Sequence, residues 1–242
     1  MKIVDAMWEK RNLGVSTCEV IIDQEDTIEE VNSACDDLSK QFEYLVFKIP
    51  SKRSDLVLPM QMKNFLYIES QFTFNTNAKN IVFPDKYSVL YEKTSWQLMN
   101  EKDLSRLYDE IRSGIFHTDR VYLDPYFTHE LAAQRYIFWT KDLVEQGFTP
   151  YKVNFDGDDV GFFVQKPIEK NLYRGVLSGV YHDFLDTGMG LLVSYAGCML
   201  NKEKNINCIG ACSSNNLKML RVSLEFGSHI KKMEYVFIKH RS

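Results

Sequence analysis

Apolar and polar residues alternate through "STCEVIID" (16–23) with the period of a half-buried strand. The next stretch, "TIEEVNSACDDLSKQF", switches to helical spacing, with Thr27 placed as an N-cap two positions before the acidic Glu29 and Glu30. "YLVFKIP" reads as a buried strand stopped by Pro50, "FLYIESQFTFN" as a further strand, and "IVFPDKYSVLYEKT" as another. "NEKDLSRLYDEIRSG" is a helix that ends at Gly114. Residues 115–127, "IFHTDRVYLDPYF", keep no steady period and are rich in aromatic and charged side chains, which predicts a functional surface loop.

From Thr128, a second N-cap, "THELAAQRYIFWTKDLVEQG" runs as a helix with Leu131, Arg135, Phe138 and Leu143 near one stripe. Three strands follow, "PYKVNFD", "VGFFVQKP" and "LYRGVLSGVY", the first two joined by a tight "DGDD" turn. The chain closes with a glycine turn, a helix to about 201, the strand "INCIGAC", a helix over 216–226 and the strand "KKMEYVFIKH". No internal repeat stands out. This order predicts a mixed α+β fold around one mostly antiparallel sheet flanked by helices, with a smaller α/β unit over 1–95 and a larger one over 96–242.

Composition changes this picture little. A net charge of −4 gives no basic footprint for nucleic acid. Cys18, Cys35, Cys198, Cys208 and Cys212 are odd in number and lack paired CxxC spacing, so neither a disulfide framework nor a zinc site is expected. The N-terminus carries charges where a signal peptide would be apolar, and no apolar run approaches the ~18 residues of a membrane span. A soluble, cytoplasmic protein that binds neither membrane nor metal is the expectation.

The stretch that matters most is "VYHDFLDTGMG", Val180 to Gly190, between a strand and a helix. A helix N-terminus exposes unpaired N–H groups and the positive end of the helix dipole, and glycines allow a phosphate close to the backbone. A plain structural turn would have the same composition. The stretch aligns without a gap to V-x-P-x-x-R/Q-x-x-G-x-G/A and resembles the acetyl-CoA motif of the GNAT acetyltransferases, with Val180, Gly188 and Gly190 in place. Downstream, Asn216 and Gly227 match a second signature, N-x-x-A-x-x-L-Y-x-x-x-G-F. "WEKRNLG" (8–14), "FEYLVFKIPSKRSDL" with "NFLYIESQFTF", and the segment holding Asp124, Pro125, Phe127, Tyr136 and Trp139 are similar to the dTDP-fucosamine acetyltransferase group of that superfamily.

The resemblance implies a GNAT fold and transfer of acetyl from acetyl-CoA, without a metal, to the amine of a nucleotide-linked amino sugar, with a homodimer left open as the assembly. It assigns Gly179, Val180, Tyr181, Leu185, Asp186, Thr187, Gly188, Met189, Gly190 and Asn216 to the coenzyme. Asp119, Arg120, Asp124 and Tyr126 would meet the sugar nucleotide, and His117 would serve as base towards the ammonium. Leu185 stands where the family has Arg or Gln, Asp186 where a glycine is usual, and His182 where proline is. Ser223 occupies the place of the tyrosine that would protonate the thiolate, with Tyr235 or Tyr126 as substitutes.

Plainer roles stand beside these. His117 also reads as a surface histidine, Asp124 before Pro125 as a turn pair, Trp8 and Trp139 as core, Cys198 and Cys208 as packing residues. The departures at 185, 186 and 223 leave open a catalytically silent GNAT-like domain that senses an acyl-CoA or nucleotide sugar. A GNAT enzyme acting on another amine is the third reading.

Overall fold

The computed structural model describes residues 1–241. The first part of the chain runs β1 (Lys2–Asp5), α1 (Met7–Leu13), β2 (Thr17–Ile21), α2 (Ile28–Gln41), β3 (Tyr44–Pro50), α3 (Val57–Met62) and β4 (Leu66–Thr76). A short connection carries α4 (Ser88–Glu92), β5 (Thr94–Leu98), α5 (Glu101–Arg112), α6 (Arg120–Leu123) and α7 (His129–Glu145). The remainder is β6 (Tyr151–Phe155), β7 (Asp158–Glu169), β8 (Leu172–Val180), α8 (Gly190–Glu203), β9 (Asn207–Ser213), α9 (Leu217–Glu225) and β10 (His229–His240).

Local chemistry explains most of these boundaries. Thr27 Oγ1 accepts the Glu30 N–H while the Glu30 carboxylate accepts the Thr27 N–H, a reciprocal cap that fixes the start of α2. Thr128 caps α7 in the same way on one side, through Leu131 N–H. Asp156 and Gly157, both at positive φ, make the hairpin between β6 and β7. Gly227 is required twice over: its φ is 87°, and a Cβ there would collide with the Asn80 carbonyl.

Several expectations are corrected. The strand expected over 81–94 is a 3-10 turn at Asp85–Tyr87 followed by α4, with the strand delayed to Thr94. Pro84 and the helical dihedral of Ser88 break the extended run. The loop over 115–127 contains α6, and β1, α1 and α3 are elements that periodicity did not reveal. Trp8 is not a core residue, being 49% exposed on α1.

All ten strands form one sheet, ordered β1-β2-β3-β10-β4-β9-β8-β7-β6-β5. Only β2–β3 and β8–β9 are parallel pairs. The central order β2-β3-β10-β4-β9-β8 is a palindrome of two strand–helix–strand–helix–strand units. The first unit is β2, α2, β3, α3, β4; the second is β8, α8, β9, α9, β10. The closing strand of each has crossed into the other, since β10 lies between β3 and β4 and β4 lies between β10 and β9.

Helices cover both faces of the sheet. Leu45, Phe47, Ile49 and Phe237 pack under α2 and α3, while the alternate residues Tyr44, Val46, Val236 and Ile238 pack under α1, α6 and the first turns of α7. Further along, α7 joins α5 over Phe162, Val164 and Leu177, and α8 covers Val153, Val160 and Phe163 from the opposite face. The 17-residue α7 therefore bridges the two units on one face.

Candidate functional site

The two parallel pairs differ where the difference matters. In the first unit β2 and β3 stay paired along five residues, from Thr17–Tyr44 to Ile21–Lys48. In the second, β8 and β9 are paired only from Leu172–Asn207 to Arg174–Ile209. Beyond that point Gly175 to Val180 pair with β7 alone, and Gly210 to Ser213 with β4 alone, so the sheet opens into a wedge. The Tyr181 N–H donates back to the Val160 carbonyl at 2.9 Å. Backbone groups alternate sides along a strand, so the preceding N–H, that of Val180, is directed to the opposite edge and into the wedge.

The chain leaves β8 through a 3-10 turn at His182–Phe184 and enters α8 through Leu185 to Met189. Asp186 and Gly188 take positive φ, 62° and 90°. Among the described residues the N–H groups of Asp186, Gly188, Met189 and Gly190 meet no acceptor, and α8 has no side-chain cap. A Cβ on Gly190 would stand 3.7 Å from Val180 Cγ2, so this set of free donors abuts the wedge. The equivalent point of the first unit is capped, because Thr27 and Glu30 satisfy each other's N–H groups at the start of α2.

Asp186, the residue that would repel a phosphate, is engaged by Lys218 of α9. That contact, with the more distant His117, holds its carboxyl below the usual range. Thr187 Oγ1 donates to the Phe184 carbonyl at 2.6 Å, Leu185 is half-buried, and Met189 packs partly against the core under α8. Tyr181 is buried at 2%, its ring between Phe162 and the Arg106 guanidinium, so the side chain is a packing element and only its backbone borders the wedge. Asn216 caps α9 by accepting the Met219 N–H at 3.1 Å, just after β9 ends.

The loop over 115–127 spans the wedge on the α7 face. Ile115 and Phe116 lie against Gly179, where an added Cβ would come within 3.4 and 3.5 Å of them. His117 is exposed and within electrostatic reach of Asp186. Asp119 caps α6, accepting the Tyr122 N–H at 3.1 Å, and stands 3.8 Å from the Arg135 guanidinium. Arg120 is buried and donates to Glu19 at 2.6 Å, which makes it part of the scaffold.

Other expected residues are not brought to this place. Asp124 is fully buried, pairs with His240 Nε2 at 2.8 Å and accepts the Tyr126 N–H, so it pins β10 to the loop. Tyr126 stacks on His240 with ring centroids 4.2 Å apart, at the far end of β10. Tyr235 packs on the α2 and α3 face, the opposite face from the loop over 115–127, and is separated from the wedge by β4. Ser223 is buried on α9. Sequence reasoning missed Lys218 and Glu69; a lone carboxylate in the apolar run "LYIESQF" was the available signal for the second.

Burial raises the thiols of Cys35, Cys198 and Cys212 to about 12 and that of Cys18 to about 11. All five cysteines are free. With little thiolate at neutral pH, these four are packing residues and not nucleophiles. Among the described residues, no group of three or more His, Cys, Asp or Glu is arranged to hold a metal ion, and no helix is long and apolar enough to cross a membrane.

No protein-family model matches the chain, and no curated protein matches it. Solved structures do. A functionally unknown conserved protein from Staphylococcus epidermidis is similar at 15% identity and a TM-score of 0.64, over 93% of this chain and 84% of that one. A GCN5-related N-acetyltransferase from Sphaerobacter thermophilus is similar at 10% identity and 0.63, over 93% and 73%. A GCN5-related glucosamine N-acetyltransferase region of a fungal multi-domain β-N-acetylglucosaminidase is similar at 10% and 0.61, over 93% of this chain and 30% of that one. At such identities the likeness is one of fold: the chain has the GNAT fold, a mixed, mostly antiparallel sheet flanked by helices.

Proposed function

We propose that the protein is an N-acetyltransferase that moves an acetyl group from acetyl-CoA to the amine of a nucleotide-activated, dTDP-linked amino-deoxy sugar by direct attack in a ternary complex. The observation that carries this reading is the contrast between the two units. One has a fully paired strand pair and a capped helix; the other has a wedge and free helix N–H donors. Donors without a side-chain cap at a helix start forgo the stability that a cap supplies and are open to water or to an anionic ligand.

The residues present fit the coenzyme. The free N–H groups at Asp186 and Gly188 to Gly190, with the positive end of the α8 dipole, suit a pyrophosphate. Lys218 neutralises Asp186 and would itself be available to a phosphate. Bound there, acetyl-CoA supplies the acetyl group as a thioester. The Val180 N–H suits a carbonyl oxygen on which negative charge develops. Alignment of amine and thioester within the wedge would supply much of the rate. The sugar-nucleotide acceptor follows the sequence resemblance, and one fold neighbour is a glucosamine N-acetyltransferase region.

Ser223, buried where a phenol would be the acid, favours a second reading, a domain that binds the coenzyme without turnover. Calorimetric titration with acetyl-CoA, followed by free-thiol release with dTDP- and UDP-amino sugars, separates the two. Binding with thiol release is expected. Binding without release favours the second reading, and absence of binding refutes both.

A further inference from the structure

We propose that Glu69 binds the acceptor's ammonium and takes its proton, so that the first unit of the fold supplies the base for an acetyl donor held by the second. The inference rests on the acetyltransferase reading above and gives a role to a residue to which the resemblance assigned none.

Register places Glu69 at the wedge. β4 stays paired with β9 up to Gln71 opposite Ser213. There the chain turns away: the Ser214 N–H donates to the Ser70 carbonyl at 2.7 Å, and Ser214 Oγ accepts the Ser70 N–H at 3.0 Å. Glu69 is therefore on the stretch of β4 that β9 no longer flanks. Counting up β8 and β9 from Arg174–Ile209, with one residue of β8 taken up by the bulge between Gly175 and Leu177, then across Ser213–Gln71, brings Val180 level with Ser70, one residue from Glu69. Two strand spacings put the two backbones about 10 Å apart before the splay widens the gap.

The face is also right. Glu69 is opposite Val236, whose side chain belongs to the core under α6 and α7. The loop that touches Gly179 through Ile115 and Phe116 also brings Arg120 within electrostatic reach of Glu69.

Glu69 is 4% exposed and its Oε2 has no partner. A buried carboxylate oxygen without a donor is uncommon in a folded protein, and an ammonium would supply that donor; the nearby Arg120 Nε is unpartnered as well. The charged neighbours are Arg120 and Asp119 from α6 and Lys48 from β3, with the Ser213 hydroxyl from β9. Arg120 and Lys48 already serve Glu19, at 2.6 and 3.2 Å. Burial raises the Glu69 carboxyl above its usual range, against the lowering by Ser213, Arg120 and Lys48. A carboxylate raised in this way accepts a proton more readily near neutrality.

The step balances. One proton of the ammonium passes to Glu69 Oε2 and later to solvent. The freed nitrogen lone pair forms the C–N bond with the acetyl carbon, the C–S bond breaks, and the second proton lost from nitrogen ends on the departing sulfur.

The test is Glu69→Gln, with dTDP-4-amino-4,6-dideoxy-galactose and water as the acceptor probes for thiol release from acetyl-CoA. Calorimetric affinity for acetyl-CoA is expected unchanged, thiol release reduced about 100-fold, and the acidic limb of the wild-type kcat/KM profile absent. Glu69→Asp should keep that limb at a reduced rate, and it decides the matter if the glutamine variant melts early. A Glu69→Gln rate within twofold of wild type, or an unmoved acidic limb, overturns the proposal and leaves the acetyltransferase reading standing. Wild type that binds acetyl-CoA but releases no thiol overturns it while sparing the coenzyme site; wild type that does not bind overturns both.

Discussion

Arg135 on α7 grips Glu9 on α1 with both Nε and Nη2, at 2.9 and 2.6 Å to the same carboxylate oxygen. Glu9 is fully buried and Arg120 adds a second cation 3.7 Å away. The pair ties the opening "WEKR" segment to the helix that bridges both units.

Breaking this pair leaves a buried charge without its counterion, which costs about 3–5 kcal/mol. Glu9→Ala and Arg135→Ala should each lower the unfolding free energy read from urea titration by about that much. The double replacement Glu9→Leu with Arg135→Met should be milder than either, since no charge is then stranded. Equal effects in all three would mean that packing and not charge carries the contact.

Asp186 and Lys218 are both exposed at the mouth of the wedge, so their contact should contribute little to folding and more to binding. Asp186→Asn is expected to raise acetyl-CoA affinity roughly two- to fivefold and Lys218→Ala to lower it by a similar factor. Titrations at low and high salt check the cause: both effects should shrink as ionic strength rises.

The two helix starts should respond oppositely. Thr27→Ala removes the cap of α2 and should cost about 1 kcal/mol while acetyl-CoA affinity stays as it was. Gly190→Asp meets only Val180 Cγ2 at ordinary contact distance, so the protein should fold, yet coenzyme binding should be lost to the added carboxylate. Thermal melts paired with calorimetry read both halves of this contrast.

Acid should expose two carboxylates of opposite sign. For Glu19, burial is more than offset by the Arg120 and Lys48 cations, which hold it down to about 2. Its contribution to stability is thus complete above the unfolded-state value near ~4.3 and lost as pH falls toward the folded one. Glu69 is raised, so its contribution is complete below ~4.3 and lost as pH rises through its folded value. Glu19→Gln should therefore be less stable than wild type at pH 7, with the gap closing toward pH 2. Glu69→Gln should be more stable at pH 7 and indistinguishable below pH 4. Urea unfolding across that range would show either sign to be wrong.

Much of the fold was legible in the chain because its signals are local. Hydrophobic period marked β2, β3, β4 and most helices, and Thr27, Thr128 and Gly114 punctuated them as cap chemistry requires. The 81–94 segment failed because its apolar residues fit a short helix turn as well as a strand, and a proline decided between them.

The sequence by itself determined the order of most elements, the glycine turn before α8 and the departures at Leu185, Asp186 and Ser223, since each depends on residues close along the chain. Only the tertiary structure decided that β4 and β10 exchange places and that β8 and β9 part after three residues. The same is true of Lys218 meeting Asp186 and of Glu69 coming within one residue of the level of Val180. Those are pairings between residues 32 to more than 100 positions apart. They are selected by which buried faces and backbone edges can be satisfied together in one sheet, a condition that no window of sequence contains.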